Sequence, residues 1–249
     1  MNVFTLNLEC KQQIRQLAAR SALGKGFSLV ELLVVIAIIG ILAVVTIPAF
    51  NQMQAGAGFS RSLSDIQSLV EKARYEAMAR NTYVWLAFQT ATNQGSLEVQ
   101  GALFASADGS GTNTSSANVQ PLSRVMRMKD VALVDWQALS TETKQKAAAR
   151  YSNTSRPDYV TSVGASFTTN QGGITASSGS VDFSGKNTLT FTPRGEVAMK
   201  GSLGSDDGFD PLIILGVKQS KGLQSLTNRD DAALLVDGGV GSVEVVRVQ

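Results

Sequence analysis

Glu31 is the single charge in FSLVELLVVIAIIGILAVVTIPAF, the run of residues 27–50. A carboxylate within a membrane helix costs about 2.5–3.5 kcal/mol on insertion scales, so it is seldom kept there without a partner. Glu31 is therefore a candidate half of an ion pair. A second group of possible ligands is Asp206, Asp207 and Asp210, three carboxylates gathered around Gly208. Such hard oxygen donors suit calcium, although their spacing is not that of an EF-hand loop and a solvated turn accounts for them equally well. Histidine is absent, which removes the commonest general base, the commonest zinc ligand and the Ser/His and Cys/His nucleophile pairs. The one cysteine is Cys10. Gly238-Gly239-Val240-Gly241 lacks the lysine of a phosphate loop and reads as a turn. No set of nucleophile, base and oxyanion donors can be picked out, and none is expected.

Those residues need elements to place them. At about 1.5 Å per residue the 27–50 run makes a helix of roughly 36 Å, enough to cross a hydrocarbon core of about 30 Å. Lys11, Arg15, Arg20 and Lys25 all precede it. The positive-inside rule then keeps residues 1–26 cytoplasmic and sends the C-terminal body out. A secretory signal would put an apolar core near the start, whereas here a polar, basic segment abuts the apolar run directly after Gly26. Of 22 basic and 20 acidic residues, four and one respectively lie before Phe27, leaving 18 against 19 in the rest. A body so close to neutral lacks the electrostatic footprint of a nucleic-acid binder. Arg124, Arg127 and Lys129 form a small basic cluster, but Asp130 and Asp135 follow closely, and the reading is an ordinary mixed surface.

Gly26-Phe27-Ser28-Leu29-Val30-Glu31-Leu32-Leu33 resembles the prepilin cleavage and methylation motif of type IV pilins and pseudopilins. The resemblance implies cleavage between Gly26 and Phe27 by a prepilin peptidase, with residues 1–26 as a leader, and N-methylation of the new Phe27 amine. It also implies that Glu31 pairs with the Phe27 α-amino group of a neighbouring subunit and so sets axial register. Gly40 and Pro48 fall where helices of this family often carry breakers. Proline removes a backbone donor and glycine weakens a helix by about 1 kcal/mol relative to alanine, so a kink or melted turn is expected there.

Beyond Pro48 the residues Phe59, Leu63, Ile66, Val70, Ala73 and Ala77 repeat at three-and-four spacing, the stripe of an amphipathic helix. One helix from about Ser28 to Arg80 is the simplest account. Its apolar half, 27–50, is transmembrane, and its amphipathic half, 51–81, docks on a sheet. Asn81 suits its C-terminus, and a strand begins in Tyr83-Val84-Trp85-Leu86-Ala87-Phe88. Residues 105–120 are small and polar and read as a flexible insertion. A strand is expected over 131–134, a helix over 140–151, and further strands over 187–192, 196–200, 212–217, 232–236 and 242–248, the last two as a hairpin about Gly238-Gly239. The fold class is α+β, a long N-terminal helix packed on a C-terminal antiparallel β-sheet body over 82–249, and the resemblance makes this the pilin fold. Residues 73–84 and 187–249 resemble the H-type minor pseudopilins and their fimbrial T-like relatives, while roughly 100–185 shows no such likeness.

The function expected is that of a structural subunit, a minor pseudopilin of a type II secretion pseudopilus or a related type IV filament. The alternatives are a minor pilin of a DNA-uptake or adhesive pilus, and a membrane-anchored enzyme that borrows the leader. Implied partners are the prepilin peptidase, other pilin or pseudopilin subunits, an inner-membrane assembly platform and membrane lipid. Implied localisation is the bacterial inner membrane as a single-pass protein, with its body periplasmic or otherwise extracytoplasmic, and then the filament.

Overall fold

The computed structural model describes residues 28–151, 174–186, 188–199, 212–225 and 230–247, without the side chains of 45–55 and 151. The chain divides into two compact units, Met1–Gln52 and Met53–Gln249. Helix α1, Leu29–Arg80, contributes to both.

Within the second unit α1 buries Phe59, Leu63, Ile66, Leu69, Val70, Ala73 and Ala77, the expected stripe with Leu69 added. Each large apolar side chain so buried contributes about 1.5–3 kcal/mol. The opposite face carries the pair Arg80–Glu76 at 2.7 Å. Asn81 ends the helix in a left-handed conformation, φ 50°. The amide of Asn81 donates to the carbonyl of Met78 and that of Thr82 to the carbonyl of Ala77, so a Schellman motif satisfies the last carbonyls.

Two antiparallel sheets receive the stripe. In the first, β1 (Val84–Asn93) and β2 (Ser96–Ser106) form a hairpin with Asn93 opposite Ser96. Gln94 and Gly95 both have positive φ, the two-residue turn whose twist matches that of the strands. β3 (Val119–Pro121) and β4 (Met126–Lys129) both pair with the other edge of β2, and β8 (Thr188–Phe191) pairs with β1 and carries β9 (Val197–Ala198). The second sheet is built on β10 (Leu212–Lys221), flanked by β5 (Val131–Val134) on one side and by β12 (Asp231–Asp237), then β13 (Val243–Arg247), on the other, with β11 (Gln224–Ser225) pairing with the end of β10. The chain passes from one sheet to the other between β4 and β5 at Asp130, φ 58°. There the Asp130 amide donates to Leu97 of β2 and its carbonyl accepts from Ser220 of β10.

Strand alternation divides the core in two directions. Val84, Leu86, Phe88, Leu103, Leu189 and Phe191 of the first sheet and Ile213, Leu215, Val217, Leu234 and Val236 of the second join the α1 stripe in one cluster. Trp85, Ala87, Ala102 and Phe104 face the other way and are covered by Ile174, Ala176 and Phe183, beside the short hairpin β6 (Ser177–Ser178) and β7 (Val181–Asp182). Phe104 and Phe183 meet edge to face at 5.7 Å. On the far side of the second sheet, Leu212, Ile214, Ala233 and Leu235 are covered by Leu139 and Ala147, the latter from α2 (Thr141–Tyr151). A sheet buried on both faces must read as unbroken apolar runs, which is why VWLAF and LIILGV show little alternation.

Residues 107–118 form a loop closed by Asn118, whose carboxamide oxygen accepts from the amides of Ala107 (2.9 Å) and Asp108 (2.8 Å) while its nitrogen donates to the carbonyl of Asn113 (2.7 Å). The polar residues that suggest a free insertion thus organise their own backbone. The Asp108 carboxyl is held below its ordinary value of 3.8, first by the Ser110 amide and then by Asn113 and Ser106.

Two buried carboxylates fasten the body. Asp231 of β12 accepts from the Ser140 amide, the Ser140 hydroxyl (3.0 Å) and the Thr143 hydroxyl (2.6 Å), tying the start of α2 to the second sheet. Glu98 of β2, whose side chain is 3% exposed, accepts from Gln100 (2.6 Å), Arg127 (2.6 Å) and Asn93 (3.2 Å). Burial pushes the Glu98 carboxyl upward, but the hydrogen bonds from Gln100, Asn93 and Arg127 and the Arg127 charge outweigh it and bring its pKa below the ordinary 4.5.

Replacing Asp231 with Ala removes the acceptor of three hydrogen bonds, one of them from the buried Thr143 hydroxyl, and should lower the unfolding free energy by about 1–3 kcal/mol in urea titration, with no change beyond error counting against the anchor. Because the folded-state pKa of Glu98 is depressed, the stability it adds is complete above pH 4.5 and drains away as pH falls through its lower folded value. Glu98→Gln should therefore flatten the acid limb of the stability profile below that pH. Superimposable acid limbs for the two proteins would refute this role.

Candidate functional site

Glu31 lies in the first turn of α1 and is exposed. It shares a helix face with Val34, Val35 and Ile38, three, four and seven residues on. Among the described residues no cation is paired with it. The positive end of the helix dipole favours a carboxylate here by about 0.3–1 kcal/mol, too little to offset the cost of an apolar environment. Gly26 and Phe27, the expected cleavage pair, lie outside the described residues.

Around Glu31 the large apolar side chains Leu29, Leu32, Leu33, Ile36, Ile39 and Leu42 are all exposed. Successive residues turn by about 100°, so an apolar run this dense leaves no polar side. A helix apolar all round requires a surrounding apolar medium. Among the described residues no helix is long and apolar enough to cross a membrane. The side chains described in this run end at Val44, inside the 27–50 segment where the span is expected.

α1 is continuous through Gly40 and Pro48, the positions where a kink or melted turn is expected. A single proline forfeits one ladder bond, and the helix resumes on either side of it. A side chain added at Gly40 would meet nothing within 4 Å, so no packing among the described residues requires glycine there.

The basic cluster is divided by the fold. Arg127 is held by Glu98 at 2.6 Å, and so its charge is neutralised within the chain. Arg124 and Lys129 remain as exposed cations beside Asp130, which is a mixed surface and not a phosphate-tracking stripe. Asp206, Asp207 and Asp210 lie outside the described residues. Among the described residues no three His, Cys, Asp or Glu side chains are grouped so as to hold a metal ion. Glu98 and Asp231, buried carboxylates that each accept three hydrogen bonds, carry little local sequence signal, because most of their partners are brought in from other elements.

The family description "Prokaryotic N-terminal methylation motif" matches residues 24–47. Two curated proteins from Pseudomonas aeruginosa, each named "Fimbrial protein", are 44% identical to this chain over 45 residues, which is 18% of this chain and 29% of each of theirs. The match thus covers less than a third of the length of these relatives. No solved structure matches the chain significantly. The stretch containing Gly26, Phe27 and Glu31 accordingly carries the N-terminal methylation motif of type IV prepilin-like proteins.

Proposed function

We propose that the chain is a structural subunit of a type IV pilin-like filament, of the minor pseudopilin kind found in type II secretion. A prepilin peptidase cleaves between Gly26 and Phe27, and the Phe27 amine is methylated. Residues 27–50 hold the subunit in the inner membrane, with the body of 82–249 on the extracytoplasmic side, until an assembly platform moves it into the filament beside other pilin or pseudopilin subunits. The observation that carries this reading is the beginning of α1: a helix start with exposed apolar residues on all sides and one carboxylate that no described cation meets.

The energetics favour one role for Glu31. Leaving the bilayer for a filament core exchanges one apolar medium for another, so the carboxylate stays costly until a cation reaches it. The α-amino group released at Phe27 by leader cleavage is such a cation, and a neighbouring subunit brings it to the right depth. Processing and assembly are thereby coupled, because the uncleaved leader offers no amine at this position. The likeness of residues 73–84 and 187–249 to H-type minor pseudopilins supports the secretion pseudopilus over an adhesive pilus. A DNA-uptake role is less well supported, since Arg127 is already occupied. The role is structural, and energy for movement comes from a separate cytoplasmic ATPase.

Glu31→Ala should insert into membranes as the parent does but fall at least about tenfold in recovered filaments, the loss appropriate to removing one partner of a desolvated pair. Incorporation equal to the parent would overturn the pairing role. Replacing Gly26 with Trp should leave an N-terminally intact precursor, read by mass spectrometry as a chain about 26 residues longer than the processed form, the length of the polar segment ahead of the apolar run. Processing at any other bond would refute the leader assignment.

A further inference from the structure

Arg74 occupies an unusual position on α1. Its stem passes between two turns, the one joining β8 to β9 and the one joining β12 to β13. A Cβ at Gly195 would come within 3.1 Å of its Nε, and one at Gly241 within 2.9 Å of its Cδ. Both glycines have positive φ, 87° and 68°. The Gly241 amide is bonded to Asp237, and the Val197 amide beside Gly195 to the Gly238 carbonyl, so each turn is itself held. The arginine stem thus packs closely against both turns.

Among the described residues this cation is paired with no anion. Its Nε is buried without a hydrogen-bond partner. The carboxylates nearest in sequence are engaged elsewhere, Glu71 by Gln67 at 3.0 Å and Glu76 by Arg80 at 2.7 Å. Buried polar atoms of folded proteins nearly always find partners, and an orphan of this kind calls for a specific cause. Tyr75 and Met78 on the same helix and Val240 in the β12–β13 turn are large apolar side chains left exposed, and the Met78 sulfur lies 3.1 Å from where a Gly195 Cβ would stand. A guanidinium whose stem is packed beside apolar surface matches a carboxylate presented on an apolar segment, because its planar donors bind both oxygens of one carboxylate.

We propose that Arg74, with Tyr75, Met78 and Val240, forms a docking point for a carboxylate carried on a neighbouring pilin-like subunit. This deepens the filament reading and rests on it: Glu31 is an acid awaiting a cation from the next subunit, and Arg74 is a cation awaiting an acid. The two contacts are distinguishable because they sit in different units of the chain.

The test uses the full chain in membranes of a host that assembles the filament, with a photo-crosslinking amino acid at position 75. Light should join it to a peptide containing Asp, Glu or a C-terminus in a second pilin-like subunit, and Arg74→Gln should reduce that adduct at least about tenfold. The purified chain in detergent provides the control. Because Arg74 Nε has no partner to lose, Arg74→Gln should melt within about 2 °C of the parent. A loss of several degrees would assign Arg74 to the fold, and an undiminished adduct or one formed with nucleic acid would equally overturn the docking role. Those failures leave the filament reading intact if the parent chain is found in filaments. Absence of the parent from filaments would instead refute that reading and this inference with it.

Discussion

The structure depends on how one 52-residue helix is covered. Of its described side chains, the large apolar ones from Leu29 to Val44 are exposed, and burial within the chain begins at Phe59 and runs to Ala77. From Phe59 to Ala77 they form a stripe, and a stripe can be buried by a sheet whose strands turn alternate residues toward it. Two sheets meet that need, joined where Asp130 bonds β2 through its amide and β10 through its carbonyl. Since alternation puts apolar residues on the outer faces as well, each sheet requires a second cover. Residues 174–183 provide it on one side, and Leu139 with α2 on the other. Arg247 holds the start of the stripe: it donates to Ser60 at 2.7 Å and to Asp230 at 2.9 Å while lying 5.3 Å from the centre of the Phe59 ring.

The earlier part of the same helix makes the opposite demand. Between Leu29 and Val44 apolar residues follow one another too densely to leave a wet face, and the large ones are exposed. Two carboxylates show the contrast in chemical terms. Glu98 is buried and accepts hydrogen bonds from three side chains of its own chain, so it needs nothing more and serves the fold. Glu31 is exposed among the apolar side chains of its own helix, and no cation among the described residues is paired with it. On the filament role proposed for Glu31, burial alone would rank these two residues the wrong way round for function, whereas satisfaction of the charge separates them.

Much of this organisation is legible in the residues. α1 ends at Arg80 because Asn81 tolerates the left-handed conformation that closes a helix. The strand over 131–134 and the helix ending at 151 appear where their composition places them. The strand β2 is harder to see, because Glu98 and Gln100 sit among its apolar residues and suggest a wet face where there is a buried network. The loop 107–118 hides for a related reason, since nothing in a Ser/Thr/Asn-rich segment tells that Asn118 turns back to collect the amides of Ala107 and Asp108.

Sequence by itself determined the properties that neighbours along a chain create together. These are the apolar run after a basic segment, the lone acid within it, the three-and-four stripe and the strand-sized pieces that make an α+β body. Tertiary structure decided which polar residues are satisfied and which are left asking for a partner. Arg127 meets Glu98 across 29 residues, Thr143 meets Asp231 across 88, and Ser60 meets Arg247 across 187. A side chain's charge is written in its residue type. Whether that charge is neutralised depends on what the folded chain brings within about 3 Å of it, a distance that no local pattern encodes.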